Sequence, residues 1–397
     1  MLQTCLNRLL AFHEQSGVLE CEAGASFAEI ITHFLPRGWF LPTTPGTKHV
    51  TVGGAIAADV HGKNHHIDGS LCKYVLELTL LTAAGDLIIC SPTRNSRVFE
   101  ATVGGMGLTG VIVSARIQLL KTSTAYLNVD FKRTANLDET LQSCDEYDSS
   151  YKYSVAWVDC LASKKSLGRA ILMFANHATL AELPGHLSDR PLQIQKRREV
   201  PVPCFFPAFV LNRWTAKTFN ALYYAKHPTA RLQVDYDTFF YPQDRLMHWN
   251  RVYGRRGFLE YQALFPVENA RAGLIELLQV IVNENKAPSF AVLKRSGPAS
   301  RGMLSFLYPG YTLAMHFQNS GESVLRLFRR LDDVLLKYGG RLYLAKDAAM
   351  SPEVFSAMYP RLGEFRKVKA TLDPENRFLS SQAKRLKIFE EQWTRGS

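Results

Sequence analysis

The period of apolar and polar positions changes several times along the chain, and each change predicts an element. Apolar alternation at Val18–Glu22 predicts a strand, which leads through Gly24 and a Ser26 cap into a helix over Phe27–Phe34, stopped at Pro36-Arg37-Gly38. The stretch "YVLELTLLTAAGDLIICSP" predicts two strands around Ala84-Gly85-Asp86, a hairpin by composition and spacing. Next, "VFEATVGGMGLTGVIVSARIQLL" predicts a short helix, a Gly-rich turn from Gly104 to Gly110 and a period-two strand from Val111 to Leu119.

After Lys121 the texture becomes one of alternating strands. "TAYLNVDFKRT", "YKYSVAWVDCLA", "RLQVDYDTFFYP", "FLEYQALFPV", "SFAVLKRSG" and "YTLAMHFQN" predict an antiparallel set with helices between, notably "NARAGLIELLQVIVNENK". The segment "ESVLRLFRRLDDVLLKYGG" predicts an amphipathic helix with Val324, Leu325, Phe328, Leu331 and Leu335 on one face, stopped by Gly339-Gly340 and followed by a short strand.

A length of 397 residues suggests two domains. No run of about twenty apolar residues predicts a membrane span, and the N-terminus lacks the basic leader and small-residue cleavage site of a signal peptide. The seven cysteines contain no Cys-x-x-Cys pair, which argues for free thiols and against a disulfide framework or structural zinc. The net charge of +11 is concentrated. Between Asp189 and Arg231, Arg190, Lys196, Arg197, Arg198, Arg213, Lys217, Lys226 and Arg231 interleave with Phe205, Phe206, Phe209, Trp214, Phe219, Tyr223 and Tyr224. Cations mixed with rings suit an anionic lipid surface or a lipid phosphate. No nucleic-acid module accompanies them, so nucleic acid is not the expected partner.

Candidate chemistry collects in "PGTKHVTVGGAIAADVHGKNHH", residues Pro45 to His66. Here a Gly53-Gly54 pair lets backbone approach a ligand, and His61, Lys63, His65 and His66 follow within twelve residues. Neither this turn nor Gly104-Gly105-x-Gly107 fits the dinucleotide fingerprint or the P-loop. No carboxylates with ligand spacing surround the histidines, so no metal site is expected; ordinary surface histidines are the simpler reading, and a switchable imidazole beside a ligand the functional one.

That stretch, extended to "LPTTPGTKHVTVGGAIAADVHGKNHHIDGS", together with "LLTAAGDL", "FEATVGGMGLTGVI", "GFLEYQ" and "GGRLYLAKDAAM", resembles the vanillyl-alcohol-oxidase type of FAD-linked oxidoreductases, in the branch that oxidises polyprenylphosphoryl ribose. The likeness covers essentially the whole chain, "HGKNHH" being its most specific motif. It implies an α+β fold: an FAD-binding domain over residues 1–122, an antiparallel-sheet substrate domain with helices over 123–340, and a C-terminal return to the FAD domain over 341–397. It also implies an N-terminally incomplete FAD domain, since the family places one further βαβ segment, with an R-S-Y-G-D-type loop for the pyrophosphate, before the point matching Met1.

By the same resemblance, Gly46, Thr51, Val52, Gly53 and Gly54 line the flavin and its pyrophosphate, and Ala58, Asp59, Val60 and His61 follow along the flavin ring. Val113 and Tyr343 add cofactor contacts. The FAD is expected to be held without a covalent tether. Lys63, Gln262 and Lys294 face the substrate, with Lys346 and His61 as the catalytic pair. The family has a cysteine where this chain has Ala314, a tyrosine where it has Phe240, and an acid where it has His316.

The activity implied is oxidation of the 2'-hydroxyl of a polyprenylphosphoryl-β-D-ribofuranose to the 2'-keto intermediate, the first half of an epimerisation completed by a short-chain reductase, in the cytoplasm or periplasm at a membrane surface. Such an oxidation needs positioning and a proton acceptor from the protein. Lys346 and His61 both qualify, because burial beside cations lowers a lysine's pKa and a histidine starts near neutrality. Two alternatives stand beside it: an oxidase of a soluble sugar or aldonolactone, and a non-catalytic remnant that binds a partner without FAD.

Overall fold

The computed structural model describes residues 5–195, 198–207, 209–227, 229–284 and 286–389. Of the basic positions singled out above, Lys196 and Arg197 lie outside the described residues.

Two antiparallel sheets carry the site between them. The first consists of β1 (Leu9–His13), β2 (Val18–Glu22), β3 (Val75–Leu81), β4 (Leu87–Cys90) and β5 (Val111–Gln118), in the order β1-β2-β5-β3-β4. Helix α1 (Phe27–Phe34) packs Phe27, Ile30, Ile31 and Phe34 inward. Its start is a capping box: Ser26 Oγ accepts the Glu29 N–H at 3.2 Å, and the Glu29 carboxylate accepts the Ser26 N–H at 2.8 Å. Two short helices follow, α2 (Val52–Ala57) and α3 (Ser96–Thr102).

The second sheet consists of β6 (Tyr126–Thr134), β7 (Tyr153–Val158), β8 (Ala170–His177), β9 (Ala230–Asp235), β10 (Phe258–Pro266), β11 (Phe290–Ser296), β12 (Gly310–Gln318) and β13 (Arg341–Leu342). Their order is β9-β6-β8-β7-β11-β12-β10-β13. Alternate residues of a strand face opposite sides. One side places Tyr261, Ala263, Phe265, Leu313, Met315 and Phe317 in a core shared with α4 (Leu137–Tyr147) and two longer helices described below. The other side carries the polar residues of the site.

Between α4 and those longer helices lie α5 (Arg213–Lys226) and α6 (Tyr236–Phe240). The segment "RLQVDYDTFFYP" is therefore not strand throughout. β9 stops at Asp235, whose carboxylate accepts the Thr238 N–H at 3.0 Å and the Thr238 hydroxyl at 2.7 Å, and that cap turns the chain into α6. The two long helices are α7 (Val267–Asn283) and α8 (Glu322–Lys337). On α8 the buried stripe is Val324, Leu327, Phe328, Leu331, Val334 and Leu335; Leu325 is only half-buried.

The C-terminal helix α9 (Leu362–Leu372) returns to α3, where Arg97 pairs with Glu364 and Arg361 with Glu100, each at 2.7 Å. Within α9 the ammonium of Lys369, 1% exposed, meets the fully buried carboxylate of Asp373. Asp373 also accepts the N–H groups of Arg377 and Phe378, both at 2.8 Å. Breaking a buried pair from one side strands a charge in low dielectric. Lys369→Met is expected to lower the free energy of unfolding by about 3–5 kcal/mol, and Lys369→Met with Asp373→Asn by clearly less. Urea titration followed by circular dichroism measures both; equal losses would show that the charge is not what is being stranded.

Candidate active site

The polar side of the second sheet is set by register. Glu260 opposes His316 and Gln262 opposes Ala314 across β10 and β12, while Ala314 opposes Val292, and Thr312 opposes Lys294, across β12 and β11. Glu260, Gln262, Lys294, Thr312, Ala314 and His316 thus share one face.

The loop that meets this face is built around α2. Thr51 caps the helix, its Oγ1 accepting the Gly54 N–H at 3.2 Å. The Val52 and Gly53 N–H groups donate to Ala25 O at 2.8 Å and Ala23 O at 2.7 Å. The Gly-Gly pair therefore lies in the first turn of α2, Gly53 buried and Gly54 exposed, with both N–H donors already engaged by the protein. Past the helix, Asp59 sits at φ 43° and is pinned: its carboxylate accepts the Cys72 N–H at 3.1 Å and the Ser305 hydroxyl at 2.6 Å. Gly62 is required by space, since a Cβ there would lie 2.7 Å from both Asn64 Oδ1 and Thr43 Oγ1. The chain then delivers His61 and Lys63 onto the sheet.

There the Gln262 amide nitrogen donates to His61 Nε2 at 2.9 Å and to Thr312 Oγ1 at 3.0 Å. With Nε2 accepting, the proton of a neutral imidazole sits on Nδ1, a buried nitrogen without a partner among the described residues. Burial, and then the charges of Lys294, His65 and Lys346, push the His61 pKa well below its usual 6.5, so the ring is neutral at pH 7. His65, read from sequence alone as polar surface or ligand, is buried and accepts the Gly297 N–H at 2.9 Å. Burial, followed by Lys294 and His66, holds its pKa near 3.

The charges of Lys294 and Lys346 act on this imidazole, and Lys63 in turn feels Lys294. Lys63 donates to the Phe239 carbonyl and lies 4.1 Å from the Phe239 ring centroid; burial and then Lys294 bring its pKa down to about 7. Lys294 is lowered to about 8, by burial and by Lys346, against the opposing pull of Glu260. Lys346 pairs with Glu260 at 2.6 Å. Glu260, Thr312 and Phe306 are site residues that motif reading missed. For Glu260 the signal was present, since period two puts it on the same face as Gln262 within "GFLEYQ".

Among the remaining expected residues, Tyr343 donates its hydroxyl to Ala58 O at 2.7 Å and stacks on Phe306 at 4.8 Å, which brings both rings beside His61. Val60 is buried below the loop, and Val113 is half-buried on β5, its carbonyl accepting the Ala23 N–H at 2.8 Å. Ala314 faces the pocket, 6% exposed, and carries no thiol. Phe240 is buried among Phe40, Tyr153, Phe239 and Tyr241, and the neighbouring Phe239 ring is the closer one to Lys63.

The arrangement fits a flat group with polar edges. Gly46 and Gly107 have nothing within 4 Å of where a Cβ would project, Gly54 is exposed, and Ala57 and Ala58 are small and half-buried. The second Gly-rich turn docks on the first, with Gly104 N–H donating to Ile56 O at 3.0 Å and Met106 N–H to Ala57 O at 2.9 Å. A bare cradle therefore ends at an orphaned imidazole N–H.

Residues 1–91 match the FAD binding domain family, and residues 255–386 match the D-arabinono-1,4-lactone oxidase family. The chain is 37% identical to decaprenylphosphoryl-beta-D-ribose oxidase of Mycolicibacterium smegmatis over 97% of its own length and 84% of that protein's. The chain belongs to this family of FAD-dependent oxidases. More distant relatives are L-gulonolactone oxidase of Scyliorhinus torazame, 25% identical over 95% of the chain and 82% of that protein, and alditol oxidase of a Streptomyces species, 23% identical over 90% and 78%. The α+β architecture is that of the vanillyl-alcohol-oxidase type, and FAD is the cofactor.

Lys63 makes the folded chain sensitive to pH in a defined direction. Between its folded pKa of about 7 and the ordinary 10.5 the unfolded state binds the extra proton, so Lys63 costs least at high pH and stability rises with pH through that window. Lys63→Met is expected to remove this rise, with the wild-type minus variant difference changing by up to about 1.4 kcal/mol per pH unit. Denaturant titrations from pH 6.5 to 9 check it, and parallel curves would contradict the burial of this lysine.

Proposed function

We propose that the chain oxidises the 2'-hydroxyl of a polyprenylphosphoryl-β-D-ribofuranose to the ketone, leaving a short-chain reductase to complete the epimerisation. Support for the reading comes from one arrangement above all: a neutral His61, an amide from Gln262 and three lysines converge where the cradle formed by Gly54 to Ala58 meets the second sheet. FAD supplies the two-electron acceptor when bound. In this reading Gly46, Thr51 to Gly54, Ala58 to His61, Val113 and Tyr343 hold it, with Tyr343 fixing the loop at Ala58.

The protein's own tasks are then divided. Gln262 and Thr312 hold His61 in one tautomer, and the neutral ring presents a donor instead of a base. Lys346, paired with Glu260 at 2.6 Å, orients a sugar or phosphate oxygen. Lys63 is the group best matched to accept the hydroxyl proton, since a pKa near 7 makes it half-neutral at working pH.

The lipid portion of the substrate has a counterpart on α5. This helix exposes Trp214 (78%), Phe219 and Leu222 beside exposed Lys217 and Lys226, and a groove of about 460 Å³ runs between Phe131, Phe219, Leu222, Tyr223 and Leu232. No helix among the described residues is long and apolar enough to cross a membrane, so contact through α5 is peripheral in this reading. The second reading, oxidation of a soluble aldonolactone, draws on the match of residues 255–386 to a lactone oxidase family.

Two measurements separate these readings. With FAD loaded, Lys346→Ala is expected to slow bleaching of the flavin absorbance by polyprenylphosphoryl ribose about 100- to 10,000-fold while leaving the resting spectrum unchanged; bleaching by lactones alone hands the function to the second reading. Lys217→Glu with Lys226→Glu is expected to weaken co-sedimentation with phosphatidylglycerol vesicles by about 1 kcal/mol per basic residue replaced. Undiminished co-sedimentation removes α5 from the membrane contact.

A further inference from the structure

The proposed oxidation uses the lysines around His61, and one of them is paired with a carboxylate, Glu260. Glu260 is 15% exposed and projects from the middle of the site face. Its carboxylate lies 2.6 Å from Lys346 Nζ and 3.7 Å from His316 Nε2, and it is the negative charge that Lys294 senses.

His316 is locked on the far side. Its ring stacks on Trp249 at 5.8 Å and lies 5.1 Å from Phe258 and 5.4 Å from Phe290. Ser289 Oγ donates to Tyr253 OH at 2.9 Å, leaving that hydroxyl to donate to His316 Nδ1 at 3.3 Å. The imidazole proton then sits on Nε2, facing Glu260. Burial, and then Lys346, lower the His316 pKa against the pull of Glu260, so the ring is neutral and leaves the carboxylate to the lysines.

Lys346 is held in two separate ways. Its backbone is fixed without Glu260: the Lys346 N–H donates to Tyr343 O at 2.9 Å, and Asp347 is tied to Arg385 at 2.7 Å. Its side chain is one-third exposed and pairs with the Glu260 carboxylate. Free of that partner, a flexible ammonium repelled by Lys294 would swing toward solvent.

We propose that Glu260 is a positioning residue specific to this pocket, its carboxylate pinning the Lys346 ammonium at the pocket wall and offsetting its repulsion of Lys294. This rests on the reading above only in naming the substrate that Lys346 faces; the pinning itself concerns the protein alone. The anion is delivered by a position on β10 whose strand partner on β12 is His316, so it can be moved across the strand pair without leaving the face.

Competitive acetylation of the folded chain, with each lysine read by mass spectrometry against exposed Lys217, tests it. Glu260→Gln is expected to raise the Lys346 rate at pH 7.5 about tenfold, as the freed ammonium reaches solvent, the equivalent of losing a contact worth about 1.4 kcal/mol. Glu260→Gln with His316→Glu is expected to bring it back to within about twofold of wild type, which a general loosening of the fold would not do. An unchanged Lys346 rate in Glu260→Gln, or no recovery in the folded double variant, overturns the proposal. If Glu260→Gln does not fold, Glu260→Asp replaces it, with a rise of about threefold expected and no rise overturning the idea. A shifted Lys346 rate in a chain that bleaches only with lactones would leave the pinning intact and reject the ribose substrate.

Discussion

The amide of Gln262 is the contact on which the site depends. It is the direct side-chain bond between the loop following α2 and the face of the second sheet, and it donates to both at once, to His61 at 2.9 Å and to Thr312 at 3.0 Å. A buried bond of this kind contributes only about 1 kcal/mol net, yet leaving its partners unsatisfied costs about 1–3 kcal/mol. Its larger effect is on chemistry. By donating, the side-chain amide decides which imidazole nitrogen carries the proton, and separately the backbone carbonyl of Gln262 accepts the Tyr343 N–H at 3.1 Å. One residue thus bonds both the imidazole and the residue whose ring closes on Ala58.

Around this bond the electrostatics are those of crowded cations. Two like charges 4 Å apart repel by about 4 kcal/mol at an effective dielectric near 20, so three ammoniums could not all remain charged on this face without a counter-ion. The protein resolves the crowding unevenly. Lys346 receives Glu260, Lys63 receives a carbonyl and an aromatic face, and Lys294 lies between them with its pKa lowered to about 8. Similar residues thereby acquire different surroundings, with Lys63 and Lys294 lowered to about 7 and about 8.

Local order was legible in the sequence wherever one segment sufficed. The capping box at Ser26, the hairpin at Gly85 and the amphipathic helix at Glu322–Lys337 are each written in adjacent residues. The strand that stops at Asp235 was misread because its alternation continues past a side chain able to cap a helix, and the cap prevailed. His65 looked like surface because nothing nearby reveals Gly297, 232 residues away, as its partner. Glu260 was hidden for a related reason: its charge has meaning only beside Lys346 and His316, which the sheet brings together. Motif reading singled out residues that the fold brings together, His61, Gln262 and Tyr343 among them, and it missed the carboxylate that pairs with Lys346.

The geometry also bears on how long the substrate must be. Gln262, Ala314, Val292 and Trp157 are successive register partners on one face, so Trp157 lies three strand spacings, about 14 Å, from the Gln262 amide. Tyr223 of α5 packs on Trp157 at 4.8 Å, and beyond it the helix turns Trp214, Phe219 and Leu222 to solvent. A free lactone at His61 is too short to span that distance, whereas a sugar phosphate with a polyprenyl tail is long enough to do so. Exposed aromatic residues on a helix with lysines at its margins have no use in binding a small soluble sugar, and their position favours the lipid-linked substrate over the soluble one.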